Sequence, residues 1–375
     1  MRVALLTSYR QQCGVATYAE NLVEALPGAG VEPVVFAPRL ARGERAAAGP
    51  SPPRLWGANR AFGVEAVRVM RAIRAARCDL VHLNVNLSLF SSRIVFALGG
   101  LARLAGLPVV ATLHGRDGGG PGRRFKVWRL QRALRGARLV VHNDEHAREL
   151  VDFGHPVARV AVIPHGMPPA APARSLAEAR RALGLAPERR VLAHFGFLVP
   201  DKGVLEVLRA FASLRRQGAH DLHYWVSGAV NPRDEASRAY FEVLREEVTR
   251  LGVADHVHLT GEFVSHEAAT AAMQAADWVV LNYLTGSSQA SSGAVSRALA
   301  SGRPVAVSAA PVFDDVRSAV HTFDGPLEGA LASLLEPSGL AESVRERARL
   351  HLDRASWPSV AAAHARLYRS LVGSG

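Results

Sequence analysis

Along the chain, short runs of β-branched and other apolar residues alternate with longer stretches whose apolar positions recur at helical spacing. In the first part the short runs fall at 3–7, 33–36, 80–83, 109–113, 139–142 and 160–163. Helical patterns between them cover 15–26, 64–76, 92–104, 125–134 and 145–153. Apolar strands alternating with amphipathic helices predict a parallel sheet with helices on both faces. A Pro- and Ala-rich stretch, MPPAAPAR at 167–174, reads as a linker. Beyond it the alternation restarts, with strands at 191–195, 223–227, 257–260, 278–281, 304–308 and 321–323. Helices at 204–216, 236–251, 266–275, 293–300 and 340–354 complete this second set. A last helix, 358–372, carries Val360, Ala361, Leu367 and Leu371 near helical spacing, with His364 between them. The pattern therefore predicts two doubly wound α/β halves and a terminal helix suited to packing across a domain boundary. Ligands of such sheets bind at the carboxyl ends of the strands, which makes an interdomain cleft the default site.

Composition narrows the class. At roughly 150 residues per domain, 375 residues correspond to about two domains. With 49% hydrophobic and 21% charged residues, disordered, collagen-like and coiled-coil chains are excluded. No stretch reaches the ~18 unbroken apolar residues of a membrane span. The opening MRVALLTSYR reads as a core strand rather than a signal peptide. Cys13 and Cys78 are too few for a disulfide framework or a four-cysteine zinc site, and a cytoplasmic location is expected. The net charge of +12 admits nucleic acid, an anionic membrane face or small anionic substrates. No helix-turn-helix or RNA-reading motif accompanies the charge, so nucleic acid is not an expected partner. Only Lys126 and Lys202 are lysines in a chain otherwise rich in arginine. That bias singles the two lysines out.

Several strand ends carry candidate chemistry. Gly14, in SYRQQCGVATYAENL, allows close approach of a ligand to the amides of the helix that follows. An ordinary βα turn uses the same glycine, and no GxGxxG follows the first strand. Asn84 and Asn86, in LNVNLSLF, lie at a strand end where an acceptor contact or a polar turn both fit. His114 ends PVVATLH and precedes a glycine-rich loop with Arg116 and Asp117. Its imidazole suits a sugar hydroxyl or a structural bond. His165, in PHG, suits a place facing the cleft or a hinge, and the hinge is preferred.

The strongest local signal is HFGFLVPDKG at 194–203. Gly196 and Phe197 end a strand, and Lys202 stands just before a helix, where a point charge and the helix dipole both favour phosphate. Glu262 and Phe263, after the strand VHLT, suit the border of a nucleobase. In NYLTGSSQASSGAVSRALASG, Ser291, Ser292 and Gly293 open a helix whose first amides form an anion site, compatible with simple capping by serine. The basic run RRFKVWRLQRALRGAR at 123–138 sets Phe125, Trp128, Leu130 and Leu134 against many arginines. It suits an anionic membrane surface or an amphipathic packing helix.

In combination and in order, CGVATYAENL, the HG at 114–115, the IPHG at 163–166, FGFLVPDKG at 195–203 and the SSG-to-ALASGRPV run at 291–305 resemble retaining glycosyltransferase family 4, of the GT-B fold. The resemblance implies two Rossmann-like domains, with a nucleotide-sugar donor held by 171–357 and an acceptor held by 1–170. It implies a C-terminal helix, 358–375, crossing back to the first domain. Carried over residue by residue, Gly14 lies near the donor phosphates, His114 contacts the donor sugar and Lys202 binds the diphosphate. Ser291, Ser292 and Gly293 supply helix amides, and Glu262 and Phe263 border the base. No cofactor and no metal are expected, because Lys202 and the amides take over the cation's task at the leaving diphosphate. Such enzymes retain configuration by front-face attack, with a phosphate oxygen as base. No pair of carboxylates of the glycosidase kind stands out.

The chain departs from the family at three places. Two glutamates eight positions apart are usual, and Gln289 and Arg297 stand there instead. Gln289 still hydrogen-bonds a sugar hydroxyl, whereas a guanidinium accepts no bond from ribose. Phe197 replaces an arginine. These departures keep open a catalytically impaired accessory or binding protein, and a nucleotide-sugar epimerase or phosphorylase on the same fold.

Overall fold

The computed structural model describes residues 1–11, 14–40, 50–57, 63–85, 92–114, 132, 134–230, 234–284 and 293–373. The chain divides into two compact units, Met1–Gly166 with Arg354–Gly375, and Met167–Asp353. The border falls four residues before the position read from the sequence. The second border lies inside the helix Leu340–Ala355.

The first unit contains β1 (Arg2–Leu6), β2 (Glu32–Pro38), β3 (Arg54–Trp56), β4 (Leu80–Val85), β5 (Val109–Leu113), β6 (Arg138–Val141) and β7 (Val160–Val162). They pair in the order β3-β2-β1-β4-β5-β6-β7, every pair parallel. The chain runs outward from β1 and then restarts at β4. That reversal is the topological switch point where open α/β sheets bind ligands.

Strand alternation sorts the core into two layers. Ala4, Leu6, Val81, Leu83, Ala111, Leu139 and Val141 face one side, where they meet Val69 and Ile73 of the helix Val64–Ala75 and Leu98 of Ser92–Leu104. Val3, Leu80, Val110 and Val140 face the other side. There they pack on Tyr18 and Leu22 of the helix Gly14–Ala25 and on Val360, Ala361, Ala365 and Tyr368 of the terminal helix Trp357–Val372. Being buried on both faces explains why these strands read as continuous apolar runs. The terminal helix starts where Ser356 accepts a bond from Ser359 N and proline occupies its first turn. Gly166 makes room for it: a Cβ there would stand 2.5 Å from the Trp357 ring.

The second unit contains β8 (Arg190–Phe197), β9 (Leu222–Ala229), β10 (Val257–Gly261), β11 (Trp278–Leu281), β12 (Val305–Val307) and β13 (His321–Thr322). Their order is β10-β9-β8-β11-β12-β13, again wholly parallel, with its switch point between β8 and β11. Among the described residues no helix is long and apolar enough to cross a membrane. Most of the basic run 123–138 lies outside the described residues.

Candidate functional site

In the second unit, β8 and β11 are neighbours, and the segments leaving their carboxyl ends lock together. After β8 come a short turn, Pro200–Lys202, then Gly203 and the helix Val204–Arg216. Gly203 has φ +62, and a Cβ on it would fall 2.0 Å from the Asn282 carbonyl oxygen. Only glycine meets both demands. Leu284 N donates to the Asp201 carbonyl at 2.8 Å, closing the same contact.

This packing fixes Lys202. Its Nζ stands 3.7 Å from the centre of the Tyr283 ring and 3.7 Å from Asp201 Oδ2. The side chain is buried, which pushes the ammonium pKa down, and Asp201 opposes that shift. The Tyr283 face adds quadrupole attraction to the charge pairing with Asp201.

Around Lys202 lies a cavity of about 730 Å³, a size suited to a small ligand. Its wall takes Phe195, Gly196 and Phe197 from β8, Asp201 and Lys202 from the turn, and Ser227 and Ala229 from β9. Asp234, Glu262, Phe263 and Tyr283 continue it, and Gly293, Ala294 and Arg297 of the helix Gly293–Ala300 complete it. The helix offers small residues at its start, where backbone amides lack intrahelical partners. Phe263 is 77% exposed, an aromatic face free for stacking at the rim. Burial lowers the Arg297 pKa, and Glu267 partly offsets this. Beneath Gly196, the buried His194 directs Nδ1 to the Val280 carbonyl at 3.3 Å and leaves Nε2 without a partner. Burial pushes its pKa down to about 4.

The structure thus gathers Gly196, Phe197, Lys202, Glu262, Phe263, Gly293 and Arg297, seven residues singled out from the sequence. Gln289, Ser291 and Ser292 lie outside the described residues. Sequence reading missed Asp201, Asp234, Ser227 and Tyr283. Asp201 and Tyr283 sit inside motifs already noticed, and their neighbours carried the signal.

In the first unit, the alternation that puts Val3, Leu80, Val110 and Val140 on one face continues at the carboxyl ends of the strands. There Thr7, His82, Asn84, Thr112, His114 and His142 occupy that same face. His114 Nε2 lies 2.8 Å from Asn84 Oδ1, and His114 Nδ1 lies 3.3 Å from His142 Nε2. His142 Nδ1 meets the Ile163 carbonyl at 3.0 Å. The Tyr18 ring centre stands 4.6 Å from His114, 5.4 Å from His142 and 5.1 Å from His165. Burial, then the neighbouring imidazoles, holds His114 well below the ordinary histidine range and His142 at about 3. Both rings are neutral at pH 7.

These contacts bear on two expectations. Asn84 is wholly buried, and its amide meets His114 and Thr7 rather than the surface where an acceptor would stand. His165, read as a hinge residue, lies one residue inside the border of the first unit and packs among the histidines. Gly14 opens its helix as expected. Asn86, Arg116 and Asp117 lie outside the described residues. Among the described residues, no group of three or more His, Cys, Asp or Glu is placed to hold a metal ion.

Comparison with known proteins agrees with this architecture. The model of Glycosyltransferase Family 4 matches residues 13–171, and that of Glycosyl transferases group 1 matches residues 189–347. No curated protein sequence matches the chain. A sucrose-phosphate synthase from Thermosynechococcus elongatus is 17% identical, with a TM-score of 0.72 and full coverage of both chains. Anabaena HepE, solved in complex with UDP, is 15% identical, with a TM-score of 0.73 over 99% of this chain and 100% of its own. A glycosyltransferase from Rickettsia africae is 11% identical, with a TM-score of 0.75 over 100% of this chain and 99% of its own. With a glycosyltransferase match on each unit and a GT-B fold over the whole length, the chain is supported as a GT-B glycosyltransferase.

Proposed function

We propose that this protein is a retaining glycosyltransferase that moves a sugar from a UDP- or GDP-sugar to a hydroxyl of a small-molecule, lipid-linked or glycan acceptor. The observation that carries the reading is the cavity of the second unit, where Lys202 and the start of the helix Gly293–Ala300 share one wall. In this reading Lys202 and the helix amides receive the charge that develops on the departing diphosphate. They do so without a metal. Phe263 and Glu262 border the base. His114 meets the transferring sugar, and a phosphate oxygen takes the proton of the attacking hydroxyl. Anabaena HepE was solved with UDP, which favours a uridine nucleotide as the first to try.

The test is a thermal-shift panel of UDP, GDP, ADP, dTDP and common nucleotide sugars. A ligand at about a hundred times its dissociation constant adds roughly 2.7 kcal/mol. One nucleotide that stabilises the wild type and not Lys202→Ala supports the reading. A panel without any stabilisation rejects it. Arg297 on the cavity wall favours a second reading, a GT-B binding protein without turnover. Nucleotide binding without release of sugar from any donor would select that one.

A further inference from the structure

In the first unit the helices Val64–Ala75 and Ser92–Leu104 pack side by side on one face of the sheet. Val69, Ile73 and Leu98 are their buried, sheet-facing side. The outward stripe of the first helix holds Val64, Val67, Arg68, Arg71 and Arg74, at spacings of three and four. That of the second holds Phe96, Arg103 and Leu104. Val64, Phe96 and Leu104 are 75%, 58% and 86% exposed. A single exposed apolar side chain is ordinary, but these three and Val67 stand on two neighbouring helices.

Arginine is abundant throughout this chain, so its presence alone says little. What sets these two helices apart is the lack of acidic partners. On the helix Glu235–Arg250, Arg245 pairs with Glu242 at 3.1 Å and Arg250 with Glu247 at 2.6 Å. On Leu340–Ala355, Arg349 pairs with Glu346 at 2.8 Å. Among the described residues, Arg68, Arg71, Arg74 and Arg103 pair with no carboxylate. The segment Ser92–Leu104 contains no acidic residue. Glu65, the one acid of Val64–Ala75, is taken up by Arg39 at 3.2 Å and by Gly57 N at 3.2 Å. Uncompensated positive charge and apolar tips therefore share one face.

We propose that this face docks on an anionic lipid bilayer, with Phe96 and Leu104 entering the headgroup region and the arginines meeting lipid phosphates. Guanidinium groups on long stems reach the headgroups while their methylenes lie along the apolar surface. A second copy of the chain is disfavoured, because a two-fold contact sets the same arginines against one another. A nucleic acid would pair the arginines but offers no apolar layer to Leu104 and the valines. The contact involves the first unit alone and needs nothing from the donor cavity.

Leu104→Cys carrying an environment-sensitive dye reads the contact directly, in a Cys13→Ser background because the other cysteine, Cys78, is buried. Its emission should shift to the blue with vesicles of equal parts phosphatidylglycerol and phosphatidylcholine, and stay unchanged with phosphatidylcholine alone. Phe96→Ser combined with Leu104→Ser keeps every charge, including those of 123–138, and alters only exposed side chains. This variant should keep a thermal midpoint close to that of the wild type and bind the anionic vesicles at least about tenfold more weakly. Each of Arg68→Gln, Arg71→Gln and Arg74→Gln should weaken binding about fivefold at low salt. Sedimentation with the anionic vesicles but no dye shift would overturn the proposal and move the contact to another surface. No binding to these vesicles would overturn it outright. An equal blue shift with polyglutamate would replace the bilayer by an acidic polypeptide.

Discussion

The ammonium of Lys202 stands over the ring of Tyr283, 3.7 Å from its centre, with Asp201 Oδ2 at the same distance. The lysine comes from the turn after β8 and the tyrosine from the segment after β11. The parallel pairing of these two strands at the switch point is what brings them together. The ring adds quadrupole attraction to the Asp201 ion pair, and together they hold the ammonium at the cavity wall. Lys202→Ala should therefore weaken nucleotide binding by at least about tenfold, or roughly 1.4 kcal/mol. Its thermal midpoint without ligand should fall by far less than the lost ligand-induced shift. Equal affinities of a folded mutant and wild type in calorimetry would remove Lys202 from the diphosphate.

Gly203 supports the same contact from the backbone side. Its φ of +62 and the 2.0 Å approach of a Cβ to the Asn282 carbonyl leave alanine no room. Gly203→Ala should cost about 2 kcal/mol or more of the second unit's stability, because strain and overpacking act together. Urea unfolding checks the cost. Nucleotide stabilisation should be lost with it, since the shift that relieves the clash moves Lys202.

Much of this fold is legible in the sequence, for an identifiable reason. Strands buried on both faces leave unbroken apolar runs, and β5 and β11 are found at 109–113 and 278–281 as expected. β3 escapes notice because Arg54–Trp56 is a three-residue edge strand that begins with a charge. The helix Leu176–Ala182 escapes because its stability is not in its own pattern. Ser175 and Glu178 form its capping box, and Arg180 reaches Asp277 at 2.6 Å. At the cavity, Gly196, Phe197 and Lys202 are legible because they are contiguous. Tyr283 and Asp234 join them only through strand order, which spacing along the chain does not encode. The histidine cluster is hidden for the same reason. Its members, at 82, 114, 142 and 364, share a face by strand parity and by the return of the terminal helix.

That return is secured by two buried phenols. Tyr18 Oη meets His364 Nε2 at 3.0 Å, and Tyr368 Oη meets His82 Nδ1 at 2.6 Å. Burial lowers the pKa of all the rings involved, with His142 and His364 each at about 3. The unfolded chain binds a proton on each below about 6.5. The folded chain does not. Their stabilisation is thus fully present above pH 6.5 and drains as pH falls toward 3, by up to about 1.4 kcal/mol per unit for each ring. From pH 7.5 to 5.5 the first unit should lose about 2.7 kcal/mol from these two rings. Denaturant unfolding followed at Trp56 and Trp357 would show it. A midpoint that stays constant over this range would mean that the rings are charged in the folded protein.

Arg297 lies on the cavity wall, at a position where a glutamate is the usual residue of the resembled family. On the proposed reading, a ribose hydroxyl at this place accepts from the guanidinium and finds there no acceptor for its own proton. Arg297→Glu should tighten UDP binding by about fivefold, near the 1 kcal/mol of one hydrogen bond. Weaker binding in calorimetry would show that Arg297 reads an anionic group of the natural donor.

The basic run at 123–138 is the remaining feature with a candidate partner. Its arginines and Lys126, interleaved with Phe125 and Trp128, suit anionic headgroups at about 1 kcal/mol per basic residue close to the surface. The protein should cosediment with phosphatidylserine-containing vesicles at low salt and leave neutral vesicles in the supernatant. Raising ionic strength should release it, because the Debye length shrinks from about 30 Å at 0.01 M to about 8 Å at 0.15 M. Replacing Arg123, Arg124, Lys126 and Arg129 by glutamine should abolish the cosedimentation and leave UDP affinity unchanged. If the substituted protein still sediments, the charge elsewhere on this chain drives binding. If neither form sediments, the run is a packing surface.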